Sequence, residues 1–265
     1  MSSGDSPIRP LADPSAGQAS EAAASVGRSL EVIRGRIAAA GGDLRRVTIV
    51  AVTKGQGVWA VLAAAGAGLT EIGENYAGEL LEKVAGLEGR LAAPLRWHFL
   101  GAVQRNKVGR LAGIVSCWQS VARAAEAETI ARRTSGREPE VFVEVDFSGE
   151  PGRNGCRPEE AAAVVEAAAQ AGCRVRGLMT VAPLVVPVAS AGGPVASAQR
   201  EAARRAFGRC AELASRLGLE ELSMGMTGDL EEAVAAGSTM VRVGTALFGP
   251  RGPESPHGGP PSLQQ

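Results

Sequence analysis

The chain has 265 residues, 45% hydrophobic and 21% charged, with 28 basic and 28 acidic side chains and a formal net charge of zero. That is the composition of one soluble globular domain with room for a large core. It has no electrostatic footprint for nucleic acid or an anionic membrane, and no apolar run reaches the roughly 18 residues of a membrane span.

Residues 1–17 are rich in Ser, Pro, Gly and Asp and are expected to be mobile. They contain no apolar stretch of the kind a secretory signal carries. A first helix is expected over 19–40, where alanine favours helix. Beyond it, short apolar runs alternate with Ala-rich stretches. Strands are expected at 47–53, 69–73, 96–101, 114–119, 141–147, 175–181, 221–225 and 240–245. Helices are expected near 58–65, 77–87, 107–112, 122–133, 158–171, 198–217 and 230–235. Near-continuous apolar strands are those of a parallel sheet buried on both faces. Eight of them with intervening helices predict an α/β fold, a single (β/α)8 TIM barrel over 18–249. A doubly wound sheet is the alternative, but the first strand–helix turn, TKGQG, lacks the G-x-G-x-x-G pattern. The stretch 185–197 reads as a surface loop, and the Pro- and Gly-rich tail 250–265 as mobile.

In such a barrel, function sits at the C-terminal ends of the strands. The first strand ends at Lys54, which alternation places with Val50 and Val52. Two readings stand: a strand-end lysine reaching for water, or an amine that forms a Schiff base with an aldehyde. The second strand runs into Glu74-Asn75-Tyr76, where Asn75 could donate to a ring substituent. His98, on the third strand, has no neighbouring nucleophile and reads as a satisfied core histidine. Gln104, Asn106 and Lys107 read as a helix start on a solvated face. Glu144 and Asp146 share a face of the fifth strand, with ion pairing inside the barrel expected over acid–base work.

The seventh strand ends Ser223-Met224-Gly225-Met226-Thr227-Gly228 and the eighth runs Arg242-Val243-Gly244-Thr245. Hydroxyl and glycine residues before helix N-termini offer N–H and O–H donors to an anion, and barrels often hold phosphate after strands seven and eight. The same residues also serve as ordinary caps. Arg242 in an apolar strand needs either a carboxylate partner or a ligand. The four cysteines, Cys117, Cys156, Cys173 and Cys210, show no Cys-x-x-Cys spacing. With only His98 and His257 besides, no metal site is expected, and scattered free thiols suit a reducing cytoplasm.

The segments VAVTK, EIGENY, RWHFLGAVQRNK, GLMTVAP and LSMGMTGDLEEAVAAGSTMVRVGTALFG resemble the pyridoxal-phosphate homeostasis protein family. The resemblance covers roughly 30–249. It implies a fold like the N-terminal barrel of alanine racemase with pyridoxal 5′-phosphate (PLP) at its mouth. It matches Lys54 to the lysine that forms the Schiff base. Ser223, Met226, Thr227, Gly244 and Thr245 fall in the phosphate-binding region, Arg242 faces the pyridine nitrogen, and Asn75 lines the cofactor. Departures from the family pattern are Thr53 before the lysine where Ser is usual, Gly55-Gln56-Gly57 after it, Thr227 where Ser is usual, and Gly152-Arg153-Asn154-Gly155 in place of a lysine-containing loop.

The resemblance implies a carrier of the cofactor in the cytoplasm, with PLP-dependent apo-enzymes as recipients and no catalytic residue assigned. The residues agree with this. A cationic Arg242 at the ring nitrogen disfavours its protonation and so the electron-sink chemistry of PLP. Racemisation also needs a second base on the opposite face of the ring. In alanine racemase another domain supplies a tyrosine, whereas here the one tyrosine is Tyr76 and no further domain is expected after Gly249. The alternatives are a stand-alone PLP-dependent amino-acid racemase or decarboxylase, and a cofactor-free Schiff-base aldolase using Lys54.

Overall fold

The computed structural model describes residues 16–184 and 195–250. The stretches expected to be soft, 1–17, 185–197 and 250–265, lie largely outside these, as does His257.

The described chain begins with α1 (Ala16–Ala39) and then alternates strand and helix. The first half carries β1 (Thr48–Val52), α2 (Val58–Gly66), β2 (Glu71–Glu74), α3 (Ala77–Gly86), β3 (Arg96–Phe99), α4 (Arg105–Leu111), β4 (Val115–Val121) and α5 (Ala124–Arg133). The second carries β5 (Glu140–Glu144), α6 (Ala161–Gln170), β6 (Arg174–Met179), α7 (Val195–Arg216), β7 (Glu221–Ser223), α8 (Leu230–Ala235), β8 (Met240–Val243) and α9 (Thr245–Phe248). The eight strands pair in sequence order, all parallel, and β1 closes on β8 with Val50 opposite Arg242. The expected (β/α)8 barrel is therefore the architecture.

Most of the core lies between the strands and the ring of helices. α1 contributes Val26, Leu30, Ile33 and Ile37, all buried. Their spacing of three or four residues makes one apolar stripe, which packs where α2, α8 and α9 surround the β1–β8 seam. A smaller apolar cluster of Val50, Cys117, Phe142, Met179 and Met240 fills the barrel itself. The N-terminal end of the barrel is closed by charge, with Arg96 bridging Glu71 and Glu140, and Arg176 bridging Glu140 and Glu221.

Two boundaries differ from the sequence reading in ways that shape the site. β5 stops at Glu144 because Asp146 turns the chain, accepting from the main-chain N–H of Ser148 at 2.9 Å and of Gly149 at 3.1 Å. β8 stops at Val243, and Thr245 opens the one-turn helix α9 instead of continuing the strand. Among the described residues, no helix is long and apolar enough to cross a membrane.

Candidate functional site

A cavity of about 390 Å³ opens at the C-terminal ends of the strands. Lys54, Asn75, Met226, Thr227, Arg242, Gly244 and Thr245 all line it, so seven residues singled out between positions 54 and 245 of the sequence converge on one space. Val52, Leu100, Met179 and Val181 supply apolar wall. The size and mixed lining are those of a small-molecule site.

Lys54 is half-buried, two residues past the end of β1. The chain on either side of it is held by α3. The Lys83 ammonium donates to the carbonyl oxygen of Thr53 at 2.7 Å, and Glu79 accepts from the N–H of Gly55 at 2.8 Å. Lys83 is also ion-paired to Glu74, whose carboxylate takes the Thr53 hydroxyl at 2.6 Å. Lys83 is 2% exposed and Glu74 fully buried. Burial pushes the Glu74 carboxyl above its usual range, with Lys83 and Thr53 pulling the other way. The sequence reading missed this clamp. Its signal was Glu79 and Lys83 at i, i+4 on a helix whose Ala77, Leu80 and Lys83 share the buried face.

The neighbouring part of the lining comes from the chain after β7 and after β8. Gly225 has φ +93°, a conformation glycine adopts without strain, and a Cβ there would meet that of Ala233 at 2.4 Å. The turn it makes leads into Met226-Thr227-Gly228, braced by Asp229, which accepts from the Met226 N–H at 2.6 Å. Arg36 of α1 ties the loop down, donating to the Thr227 carbonyl at 2.9 Å and to both carboxylate oxygens of Glu231. Thr227 Oγ1 accepts from the Ala246 N–H at 3.3 Å, which joins this loop to α9. Among the described residues, the main-chain N–H groups of Thr227, Gly228 and Thr245 have no internal partner. A Cβ on Gly244 would stand 3.0 Å from the Val52 carbonyl oxygen, so only glycine leaves this wall open without displacing β1.

Arg242 forms part of the floor and is 4% exposed. Among the described residues it makes no ion pair with a barrel carboxylate. It donates to the Ser223 hydroxyl at 2.7 Å and to the Thr180 carbonyl at 2.9 Å. Burial lowers its pKa from the ordinary arginine value, against the opposing influence of Glu144 and Asp229. Ser223 is the one expected site residue that does not line the cavity. Its side chain is fully buried inside the barrel, beneath Arg242.

Glu144 does line the cavity. It makes no ion pair among the described residues, contrary to the pairing expected for it; it accepts instead from the side-chain amide of Asn154. Burial pushes its carboxyl above the usual range. Tyr76 is largely exposed and lines an adjoining cavity of about 350 Å³ with Gln104 and Lys107, not the first one, although Asn75 borders both. His98 is the satisfied core histidine expected, at 2.5 Å from Glu71 and 2.6 Å from Gln119.

The family model for the alanine racemase N-terminal domain matches residues 29–252. A pyridoxal phosphate homeostasis protein of Pseudomonas aeruginosa is 41% identical over 83% of this chain and 91% of its own. Among solved structures, PipY of Synechococcus elongatus, determined with PLP bound, superposes with a TM-score of 0.69 at 32% identity, covering 84% of this chain and all of its own. A protein of Bifidobacterium adolescentis described as unknown superposes at 0.75 and 32% identity, covering 90% of this chain and 98% of that one.

Proposed function

Because this chain belongs to the alanine racemase N-terminal-domain family, and within it to the pyridoxal phosphate homeostasis proteins, we propose that it holds PLP at the barrel mouth on Lys54. In this reading it buffers the cofactor in the cytoplasm and passes it to PLP-dependent apo-enzymes. The observation that carries the proposal is the convergence of one lysine, one buried arginine and a two-loop donor set on a single cavity.

The residues fit the group. The free N–H groups of Thr227, Gly228 and Thr245 with their two hydroxyls are a donor set for a phosphate, and a Cβ at Gly244, next in the chain to Thr245, would press on the Val52 carbonyl of the cavity wall. Asn75 Oδ1 is buried with no hydrogen-bond partner, so a ligand donor reaching it would remove the cost of an orphaned acceptor. When bound, the cofactor supplies an aldehyde that an amine captures reversibly. Lys54 provides that amine from a main chain gripped on both sides. Met179, Val181 and Leu100 exclude water from the wall. Arg242, a donor with no acceptor, would hold the ring nitrogen by donating to it and so disfavour its protonation, which suits holding a cofactor better than using it.

A stand-alone racemase or decarboxylase is the second reading, and Glu144 favours it: a carboxyl in the same cavity, raised by burial, is the kind of group that moves protons. One preparation separates the readings. The carrier shows a visible absorption band and a borohydride-stable mass increase, but no enzyme-like incorporation of deuterium at the α-carbon of alanine in D₂O. Fast incorporation promotes the racemase. No band at all leaves the aldolase.

A further inference from the structure

The barrel interior, otherwise apolar, is threaded by a file of polar side chains that runs down from Arg242 and whose other members do not line the cavity. From the mouth downward, Arg242 donates to Ser223 Oγ at 2.7 Å, and Ser223 donates to Gln119 Oε1 at 2.6 Å. The Gln119 amide meets His98 Nδ1 at 2.6 Å and Met240 Sδ at 3.0 Å, and His98 Nε2 meets Glu71 at 2.5 Å. Glu71 belongs to the charged ring that closes the far end of the barrel, beside Arg96. His98, Gln119 and Ser223 have no exposed surface, so water does not repair a broken link.

The proton order in this file is fixed from both ends. A guanidinium only donates, so the Ser223 hydroxyl must turn its hydrogen to Gln119. That orients the amide, whose NH₂ then faces His98 Nδ1. Nδ1 must accept, so the ring proton is on Nε2 and points at Glu71. Glu71, which is also ion-paired to Arg96 at 3.2 Å, is the acceptor at that end. Reversing any member sets acceptor against acceptor or donor against donor in a dry interior, where an unmade bond is costly.

We propose that Ser223, Gln119, His98 and Glu71 are positioning residues, a one-way hydrogen-bond chain that fixes where and how Arg242 presents its guanidinium at the floor of the cofactor cavity. The chain itself follows from the geometry alone; only its last step, from Arg242 to the cofactor ring, rests on the PLP reading.

The experiment has two arms on the full chain. In cofactor-free, ¹⁵N-labelled protein at neutral pH, two-bond ¹H–¹⁵N spectra of the imidazoles read the tautomer of His98. The chain has only two histidines, and His257→Asn assigns the other. The expected result is a neutral Nε2–H ring whose Nδ1 resonance shifts in Ser223→Ala, two links away. An Nδ1–H ring, an imidazolium, or no response to Ser223→Ala overturns the chain. In PLP-loaded protein, the visible band is expected to move in Glu71→Gln, at the opposite end of the barrel, and in Gln119→Glu, which sets a carboxylate against Nδ1. It is expected to stay in place in Glu140→Gln, which removes a carboxylate from the same charged ring but not from the chain. Glu71 is partly exposed and its amide is isosteric, so that variant keeps the test valid if Gln119→Glu fails to fold. An unmoved band in Glu71→Gln overturns the proposal. A wild-type protein with no band overturns the PLP reading instead, and the ring spectra still decide the chain.

Discussion

Lys83 of α3 donates a hydrogen bond to the carbonyl oxygen of Thr53 at 2.7 Å, one residue before Lys54. A buried cation thus holds the backbone that presents the candidate reactive amine. Glu74 neutralises it, and both are all but removed from solvent. Removing one partner of such a pair strands the other, at a typical cost of about 3–5 kcal/mol. Lys83→Met or Glu74→Leu is therefore expected to lower the denaturant midpoint sharply. The double substitution should cost less than the sum of the two, which equilibrium unfolding of all three variants will show.

The chain has three lysines, and the structure gives them different fates. Lys83 is buried and paired. Lys107 is exposed on α4 beside the other cavity. Borohydride reduction of the PLP-loaded protein should leave one pyridoxyl group, on Lys54. Lys54→Ala should lose the visible band with a change in unfolding free energy within about 0.5 kcal/mol, since a mouth residue contributes little to the core. Peptide mapping that finds the adduct on Lys107 would reject the assignment.

The donor set around Thr227 and Thr245 predicts a selective loss. Thr245→Ala removes one charge-assisted hydrogen bond to a phosphate, worth about 1.5–3 kcal/mol, or roughly tenfold or more in affinity. Gly244→Val adds bulk at the wall beside Val52. Both should weaken PLP far more than unphosphorylated pyridoxal. Equal losses for the two ligands, measured by titration of the visible band, would place the phosphate elsewhere.

Glu144 predicts a pH dependence. Its carboxyl is raised in the folded state by burial, with the Asn154 amide opposing. The folded protein therefore holds this proton more tightly than the unfolded chain does. The stability linked to it is complete below the ordinary carboxylate pKa and is lost as pH rises through the raised folded value. Glu144→Gln keeps an acceptor for Asn154 and removes the titration. The variant should gain on the wild type as pH rises from the ordinary carboxylate range toward neutrality, and thermal unfolding across that range checks the sign.

The eight-strand alternation was legible because each strand is buried on both faces and so reads as an unbroken apolar run, with Ala-rich helix between. The C-terminal ends of those strands then pointed to Lys54, Asn75, Thr227, Arg242 and Thr245, because in a parallel barrel chain order alone decides which end of a strand faces the mouth. One helix of the mouth was missed for a local reason: α9 is one turn long, too short to show a helical period in a sequence that reads as strand. Other features could not be read along the chain at all. Ser223 looked like one more hydroxyl of an anion loop, and only barrel closure turned it inward between Gln119 and Arg242. Lys83 and Glu74, nine residues apart on a helix and a strand, become partners only when α3 packs against the wall. The sequence by itself determined the period, the order of elements and the end at which function would sit, because these follow from local propensity and burial. Which buried polar groups satisfy one another was decided by the tertiary structure alone, because the hydrogen bond between residues 71 and 98 needs β2 paired with β3, and the one between 119 and 223 exists only once closure brings β4 and β7 across the barrel from one another.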